Sequence, residues 1–587
     1  MSTASQSGSR RIRISAAGEW WTLGGVGAFI ACLYWATDAP LYNPVGFVDP
    51  WLYTALFVNF DWTYSTFWDT YYAARLPWVI PGYLLHSFLP THVAYFVLHG
   101  CFFFGGGLFA YLLVRRYAGR VGALAAFTFL LGTQLYYIAQ TWNYFDGAIV
   151  TYLLAAFYFS LSRDKGRRRF VELALGGAFA AAAVLTNLFV VIFATGIPLV
   201  YLWLSRTQIA RDRTRFEDTA AFAGGALALT FLCGVFSVVK GGVLLFWLPQ
   251  LHAANRLVGS SAYEVHSWGW VAKDPRLWAP IFIALVAGVV CTRTGERHDL
   301  MWRFTIGSGV YIFASEAFMV IWDLAFAGST LQTTYYFSLL LPSMTMCIGG
   351  VTGLLLRPLS ARRQIHVALT ASAVAVAAPL LLIYLDDERA LTGRAGTLIT
   401  AVLAAIALSL LAVALVRSLH RARAIFAVTA AAAALATPAF AIDSSADVFN
   451  YSRTDSKGDV YNLGTKLIAY LRESGVQGKR RFFFWYDGYD HGVANFRVGL
   501  QSLYFYALSF IGTNMPHVDR NFRARMKYFV PANGSLVLLC EDSACSGAPL
   551  ALKRAGYRFA SRSQRLLTAG REHVWVHVLA VKIGARS

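Results

Sequence analysis

The chain has 587 residues, of which 57% are hydrophobic and only 14% charged, and its mean hydropathy is +0.50. Repeated apolar runs of the ~18 or more residues that a bilayer core of ~30 Å demands exclude a soluble globular protein. The formal charge of +20 raises the question of a nucleic-acid partner, so where the cations lie decides what they mean.

In chain order the apolar runs predict spans over 20–37, 92–114, 120–138, 145–161, 170–186, 188–204, 219–239, 277–292, 301–322, 335–355, 365–385, 397–416 and 424–441. The first run has no small-residue cleavage site followed by a soluble domain, so it reads as a retained helix and not a signal peptide. Taken as every second connection, SRRIR, RRYAGR, SRDKGRRR, SRTQIARDRTR, RTGERHDLMWR, RPLSARR and RSLHRAR hold 24 Lys or Arg, against 7 in the opposite set. By the positive-inside rule the first set is cytoplasmic. The basic balance is therefore topology, with no nucleic acid implied.

The apolar run Phe170 to Leu204 is 35 residues long, too long for one span of ~20. A break at Thr186-Asn187 gives two helices and preserves the alternation downstream. The N-terminal tail (1–19) is then cytoplasmic, and a membrane domain (20–442) carries large external segments at 37–91 and 240–276. Everything from 443 to 587 is external. This predicts a multi-pass protein of the inner (plasma) membrane, its C-terminal domain periplasmic or extracellular.

Residues 443–587 have shorter apolar runs and more charge. β-type segments stand at RRFFFWYD, GSLVLLCED and HVWVHVLAVKI, and helical patterns at NLGTKLIAYLRES and PLALKRAGY, which predicts a small mixed α/β domain. It carries neither a glycine-rich phosphate fingerprint nor a nucleophile elbow, and reads as a cap or partner-binding domain. Cys540 and Cys545, outside the spans, form the one candidate disulfide pair.

The first external segment is unusual. Between Phe47 and Trp78 it has twelve aromatic residues, three carboxylates (Asp49, Asp61, Asp69) and one cation, Arg75. The aromatics read first as interfacial anchors, so that the segment forms a pair of short helices lying on the outer leaflet. Asp49-Pro50 has the form of a helix start with Asp49 as N-cap, while a capping carboxylate with one free oxygen is also a rigidly held base. Asp61 and Asp69 read as solvated carboxylates.

GFVDPWLY near the start of this segment, and YYAARLPWVIPGYLLHSFLP leading into the second span, resemble the GT-C superfamily of polyprenyl-phosphate-dependent glycosyltransferases. Protein O-mannosyltransferases, aminoarabinose transferases and oligosaccharyltransferases share this arrangement. The resemblance covers the membrane part. It implies a transferase that moves a sugar from a polyprenyl-phosphate donor to a lipid, glycan or protein acceptor at the external face, with inversion and an Asp base. That acid falls on Asp49. The sequence departs from the mannosyltransferase pattern, which has an Asp-Glu pair where this chain has Asp-Pro. A second acid of the superfamily, in the next external loop, falls on Asp146 in TWNYFDGAIV; the bland reading of Asp146 is a helix-end residue favoured by the dipole.

Transfer from a lipid phosphate needs a base for the incoming hydroxyl and cations or a metal for the departing phosphate. Arg75, Arg256 and Lys273 are the candidate phosphate contacts, each with local pairing or snorkelling as the alternative. If a divalent ion takes part, Asp49 and Asp146 are hard donors suited to Mg or Mn. Glu316 is an acid inside an apolar span, readable as functional or as a buried hydrogen bond to a neighbouring helix. Tyr335 and Tyr336 in TTYYFSLLLPSM read as lining a sugar site or as interfacial anchors. His252 and His266 are not assigned to a metal. The competing reading is a multi-pass transporter or flippase of a lipid-linked sugar, although the repeat symmetry of transporters is not found.

Overall fold

The computed structural model describes residues 16–36, 48–161, 166–205, 212–258, 278–294, 299–326, 330–331, 334–357, 459–475, 482–486, 533–540, 543, 553, 556–570 and 572–583. The membrane part is helical: α1 (Ala16–Ala36), α2 (Val48–Val58), α3 (Phe60–Phe67), α4 (Leu76–Phe88), α5 (Thr91–Gly132), α6 (Gln134–Thr141), α7 (Asp146–Ser160), α8 (Gly166–Thr186), α9 (Val191–Ser205), α10 (Asp212–Val239), α11 (Leu248–Val258), α12 (Trp278–Thr294), α13 (Leu300–Phe326) and α14 (Leu341–Leu356). A short helical turn, Thr334–Phe337, runs into α14 through a 3-10 turn at Ser338–Leu340.

Among the described residues five helical stretches are long and apolar enough to cross a membrane: Val93–Gly132, Gly166–Thr186, Phe216–Val239, Leu300–Phe326 and Tyr335–Leu356. The first is two helices joined across a kink at Gly119 (φ 76), between the expected spans 92–114 and 120–138. Three shorter apolar helices, Asp146–Ser160, Leu188–Leu204 and Ala279–Thr292, stand beside them. The expected spans over 365–385, 397–416 and 424–441 lie outside the described residues, so the expected thirteen are not all in view. The 35-residue apolar run breaks where its length requires. Thr186 ends α8, Asn187 is extended (φ −153, ψ 118), and its side chain accepts from the Phe189 N–H to start the next turn. The run expected over 120–138 is divided instead: Thr133 is extended and its hydroxyl donates to the Phe129 carbonyl at 2.6 Å, separating α5 from α6.

α14 is the most enclosed helix and packs on α5 and α13. Gly122 and Gly349 let the backbones of α5 and α14 approach, since a Cβ on either would strike the other's carbonyl. α10 packs on α8 and leaves Leu227, Phe231, Leu232 and Val235 exposed, an apolar face of the kind that lipid covers.

Ion pairs mark one end of the bundle. Glu19 takes Arg115 at 3.0 Å and Arg120 at 3.1 Å, and Arg169 with Asp218 and Arg357 with Asp299 pair nearby in the sequence pattern of basic connections. At the other end, Lys240 after α10 meets Asp61 of α3 at 2.6 Å, its ammonium lying over the Tyr83 ring.

In the C-terminal part α15 (Asp459–Glu473) packs on a four-stranded sheet of β1 (Phe482–Tyr486), β2 (Asn533–Cys540), β3 (Tyr557–Ala569) and β4 (Glu572–Ile583). The order is β1-β2-β4-β3, with β1 parallel to β2 and the other pairs antiparallel. β3 was not expected from the sequence: Arg558, Arg562, Gln564 and Arg565 mask its alternation. Cys540 is disulfide-bonded, and Cys545 lies outside the described residues.

Candidate active site

Two expectations for the first external segment are corrected. Three short helices, α2 to α4, form in place of a pair, and six of their aromatics are core residues, while Phe67 and Phe88 stay exposed. Trp51, Tyr53, Phe57, Phe60, Tyr64 and Trp78 are each no more than 2% exposed. The reason is local. α4 lies so close to α2 that only a glycine fits at Gly82, against the Phe57 ring, and the rings of Phe57 and Trp78 meet edge to face at 5.4 Å. Rings that interlock in this way bury more area than rings laid singly on a headgroup layer. Asp69 is exposed to solvent, as expected of it.

The second correction concerns Asp49. Its carboxylate does not cap a helix start, because α2 begins at Val48 and both oxygens have phenol partners. Tyr72 donates to Oδ1 at 2.6 Å and Tyr144 to Oδ2 at 2.9 Å. Such charge-assisted O–H···O bonds outweigh a backbone cap. Burial first, and the Asp49 charge second, push both phenols well above the ordinary tyrosine range, so they remain protonated donors. Asp49 itself is only partly buried. Each carboxylate oxygen, with one phenol donor, has lone-pair capacity for a further hydrogen bond.

Arg75, at the N-terminus of α4, is 7% exposed. Its Nη1 donates to the Tyr53 hydroxyl, and its Nε, fully buried, has no hydrogen-bond partner among the described residues. The guanidinium sits over the Phe145 ring at 3.9 Å and the Tyr71 ring at 4.9 Å, with Tyr144 and Tyr53 at 5.8 and 6.0 Å. Among the described residues no carboxylate pairs with it. A buried cation held by ring faces at ~1 kcal/mol each, against a desolvation cost of several kcal/mol, is a strong attractor for an anion.

The loop between α6 and α7 supplies the other wall. Tyr144 reaches Asp49, Phe145 stacks on Arg75, and Tyr335 packs on both, with ring centroids at 5.3 and 5.7 Å. Tyr336 turns aside to Phe189 at 5.0 Å. Asp323 fixes the approach to Tyr335: its Oδ1 accepts from the Thr330 N–H and hydroxyl, and its Oδ2 from the Leu331 N–H.

Asp146 reaches this region as the first residue of α7, but it is fully buried and its Oδ1 accepts from Trp142 Nε1 at 2.7 Å. Glu316, on α13, is 2% exposed and takes the Ile281 backbone in the first turn of α12. It is not part of the cluster. Arg256 lies on α11, with its side chain outside the described residues, and Lys273 and His266 also fall outside them. His252 is exposed. The two carboxylates have donors as their described partners: Asp49 takes the Tyr72 and Tyr144 hydroxyls, and Asp146 takes an indole N–H. No group of three or more His, Cys, Asp or Glu converges among the described residues. The sequence reading singled out Asp49 and Arg75 but missed Tyr53, Tyr71, Tyr72, Tyr144 and Phe145. Their only signal was the density of tyrosine around the two charges.

A bundle of apolar helices with interposed short helices at one end and a small C-terminal sheet defines a polytopic membrane protein. The sequence matches no protein-family model and no curated protein. The fold has solved counterparts. It is similar to ArnT from Cupriavidus metallidurans in the apo state, with a TM-score of 0.51 and 15% identity, covering 98% of this chain and 100% of that one. It is likewise similar to the same protein bound to undecaprenyl phosphate, at 0.50 and 14% with the same coverage. At that identity the likeness establishes the fold alone, which is ArnT-like.

Proposed function

We propose that the protein is a glycosyltransferase that takes a sugar from a polyprenyl-phosphate donor and passes it to a hydroxyl acceptor at the external face, with inversion. The observation that carries this reading is that the Asp49 carboxylate, held by two phenols, and the buried Arg75 cation, with which no carboxylate among the described residues pairs, both lie against Tyr144. The undecaprenyl phosphate bound in the similar ArnT structure supports a polyprenyl-phosphate donor.

In the reaction, Asp49 takes the proton of the acceptor hydroxyl as that oxygen attacks the anomeric carbon from the face opposite the phosphate. The bond from the anomeric carbon to the phosphate oxygen breaks, and polyprenyl phosphate departs with one more negative charge than it had in the donor. Arg75 meets that charge, which grows toward the transition state, so its contribution falls on the rate as well as on binding. Tyr72 and Tyr144 keep Asp49 in one orientation. Tyr335 and Phe145 give the sugar apolar faces to lie against. Asp146 acts on the site by holding Trp142, and with it the loop that carries Tyr144. The reading needs no metal.

The test is transfer from a labelled polyprenyl-phosphate sugar by the purified full-length chain, wild type against Asp49→Asn. Turnover that is lost in the variant supports the reading. A wild-type protein that turns over no such donor, yet moves a lipid-linked sugar across liposomes, is a transporter instead.

A further inference from the structure

We propose that Asn143 is the positioning residue of this site: its left-handed turn and side-chain clamp are what bring the Tyr144 hydroxyl to Asp49. The inference rests on the transferase reading for its activity readout but not for its structural one.

Asn143 is the one non-glycine residue at positive φ among the described residues, with φ 53. Asn enters that region at lower cost than most residues, and glycine would enter it more easily still. The side chain accounts for Asn. It is 1% exposed, and Nδ2 donates to the Pro50 carbonyl at 3.1 Å and to Thr54 Oγ1 at 2.9 Å. The Thr54 hydroxyl donates to the same Pro50 carbonyl at 3.0 Å, closing a three-membered set. Oδ1 lies 3.3 Å from Nε2 of the buried His99 on α5. One amide thus ties the first turn of α2 to α5 and to the loop before α7, using every buried hydrogen-bonding group it offers to the correct kind of partner.

The consequence is geometric. Pro50 adjoins Asp49, and Tyr144 adjoins Asn143, so the clamp and the Tyr144–Asp49 bond are adjacent rungs between the same two segments. The left-handed residue also divides its neighbours: Trp142 turns to Asp146 at the start of α7, and Tyr144 turns to Asp49 at the start of α2. A right-handed backbone at 143 would send Tyr144 elsewhere. Asn143 touches neither the carboxylate nor the donor site, and it acts through Tyr144.

The experiment uses the full chain in detergent or nanodiscs, with 3-fluorotyrosine at position 144 read by fluorine NMR, in Asn143→Gly, Asn143→Ala, Asp49→Asn and Thr54→Ala. In Asn143→Ala, which lacks both turn and clamp, the Tyr144 resonance should move to where Asp49→Asn puts it. Asn143→Gly keeps the turn and should move part of the way, and Thr54→Ala, which removes one acceptor and leaves the fold intact, should move in the same direction. On activity, Asn143→Gly should lower kcat about 10-fold with KM changed less than about 3-fold, the size of one lost bond to a charged group. Asn143→Gly combined with Tyr144→Phe should be no slower than Tyr144→Phe alone, because both break one contact. A Tyr144 resonance unmoved in all three Asn143 and Thr54 variants would overturn the inference, as would losses that multiply in the double variant. If the wild type transfers nothing, the transferase reading fails while the resonance still decides the role of Asn143.

Discussion

Tyr144 and Asp49 lie 95 residues apart in the chain and share a 2.9 Å hydrogen bond, which joins the α6–α7 loop to α2. With Tyr72 on the other oxygen, the carboxylate is fixed before any substrate arrives. Preorganisation of this kind is the main way a protein lowers the barrier of a reaction whose charges move.

Removing one phenol at a time should therefore cost rate and not folding. Tyr72→Phe and Tyr144→Phe should each lower kcat about 10-fold, the equivalent of the ~1.5 kcal/mol of a hydrogen bond to a charged group. Steady-state kinetics on the two variants and a melt of each checks this. A large loss of thermal stability with unchanged kcat would assign the bonds to packing instead.

Arg75→Met should separate stability from binding. The cation is buried among rings with no carboxylate partner among the described residues, so an apolar side chain of similar length should leave stability within about 1 kcal/mol of wild type, or raise it. The KM for a polyprenyl-phosphate donor should rise at least about 10-fold, because the one described cation of the site is gone. Arg75→Lys should recover little, since an ammonium cannot stack on Phe145 and reach Tyr53 together.

The raised pKa values of Tyr72 and Tyr144 predict an alkaline limit to stability. A group whose pKa is higher folded than unfolded contributes stability that is complete below the unfolded value and is lost as pH rises. Stability should hold up to about pH 9 and fall above about pH 10, where unfolded tyrosine ionises. The double variant Tyr72→Phe/Tyr144→Phe should show a shallower fall. Melting temperatures between pH 7 and pH 11 decide it; equal slopes would contradict the assignment.

The cation pattern predicts sidedness. Asp69, exposed at the end that holds the candidate site, should become reactive as Asp69→Cys toward a membrane-impermeant maleimide added to intact cells. Arg168, 76% exposed near the opposite end, should become reactive as Arg168→Cys only after permeabilisation. The reverse pattern would place the site in the cytoplasm.

Much of the helical framework is legible in the sequence because its signal is one-dimensional. A run of apolar residues specifies a span, and a run of 35 must break, which it does at Asn187. The charges at the site were legible for a related reason: an Asp and an Arg are conspicuous in an apolar chain. Their surroundings were not. Composition cannot tell a ring that anchors at a headgroup from one that interlocks with another ring, so Tyr53 and Trp78 were misplaced on the bilayer surface. The partners of Asp49 are 23 and 95 residues away, distances at which periodicity carries no information. Asn143 looked like one polar residue in a loop; only its φ and its contacts with Pro50, Thr54 and His99 show what it holds. β3 was hidden by its arginines, which need no apolar alternation on a strand with one exposed face.

The most direct measurement is single-turnover transfer from a labelled polyprenyl-phosphate sugar to a hydroxyl acceptor, comparing wild type with Asp49→Asn at matched folded protein. The account predicts measurable transfer by the wild type and a loss of at least about 100-fold in the variant, the contribution of a positioned general base. Transfer by Asp49→Asn at the wild-type rate would contradict it.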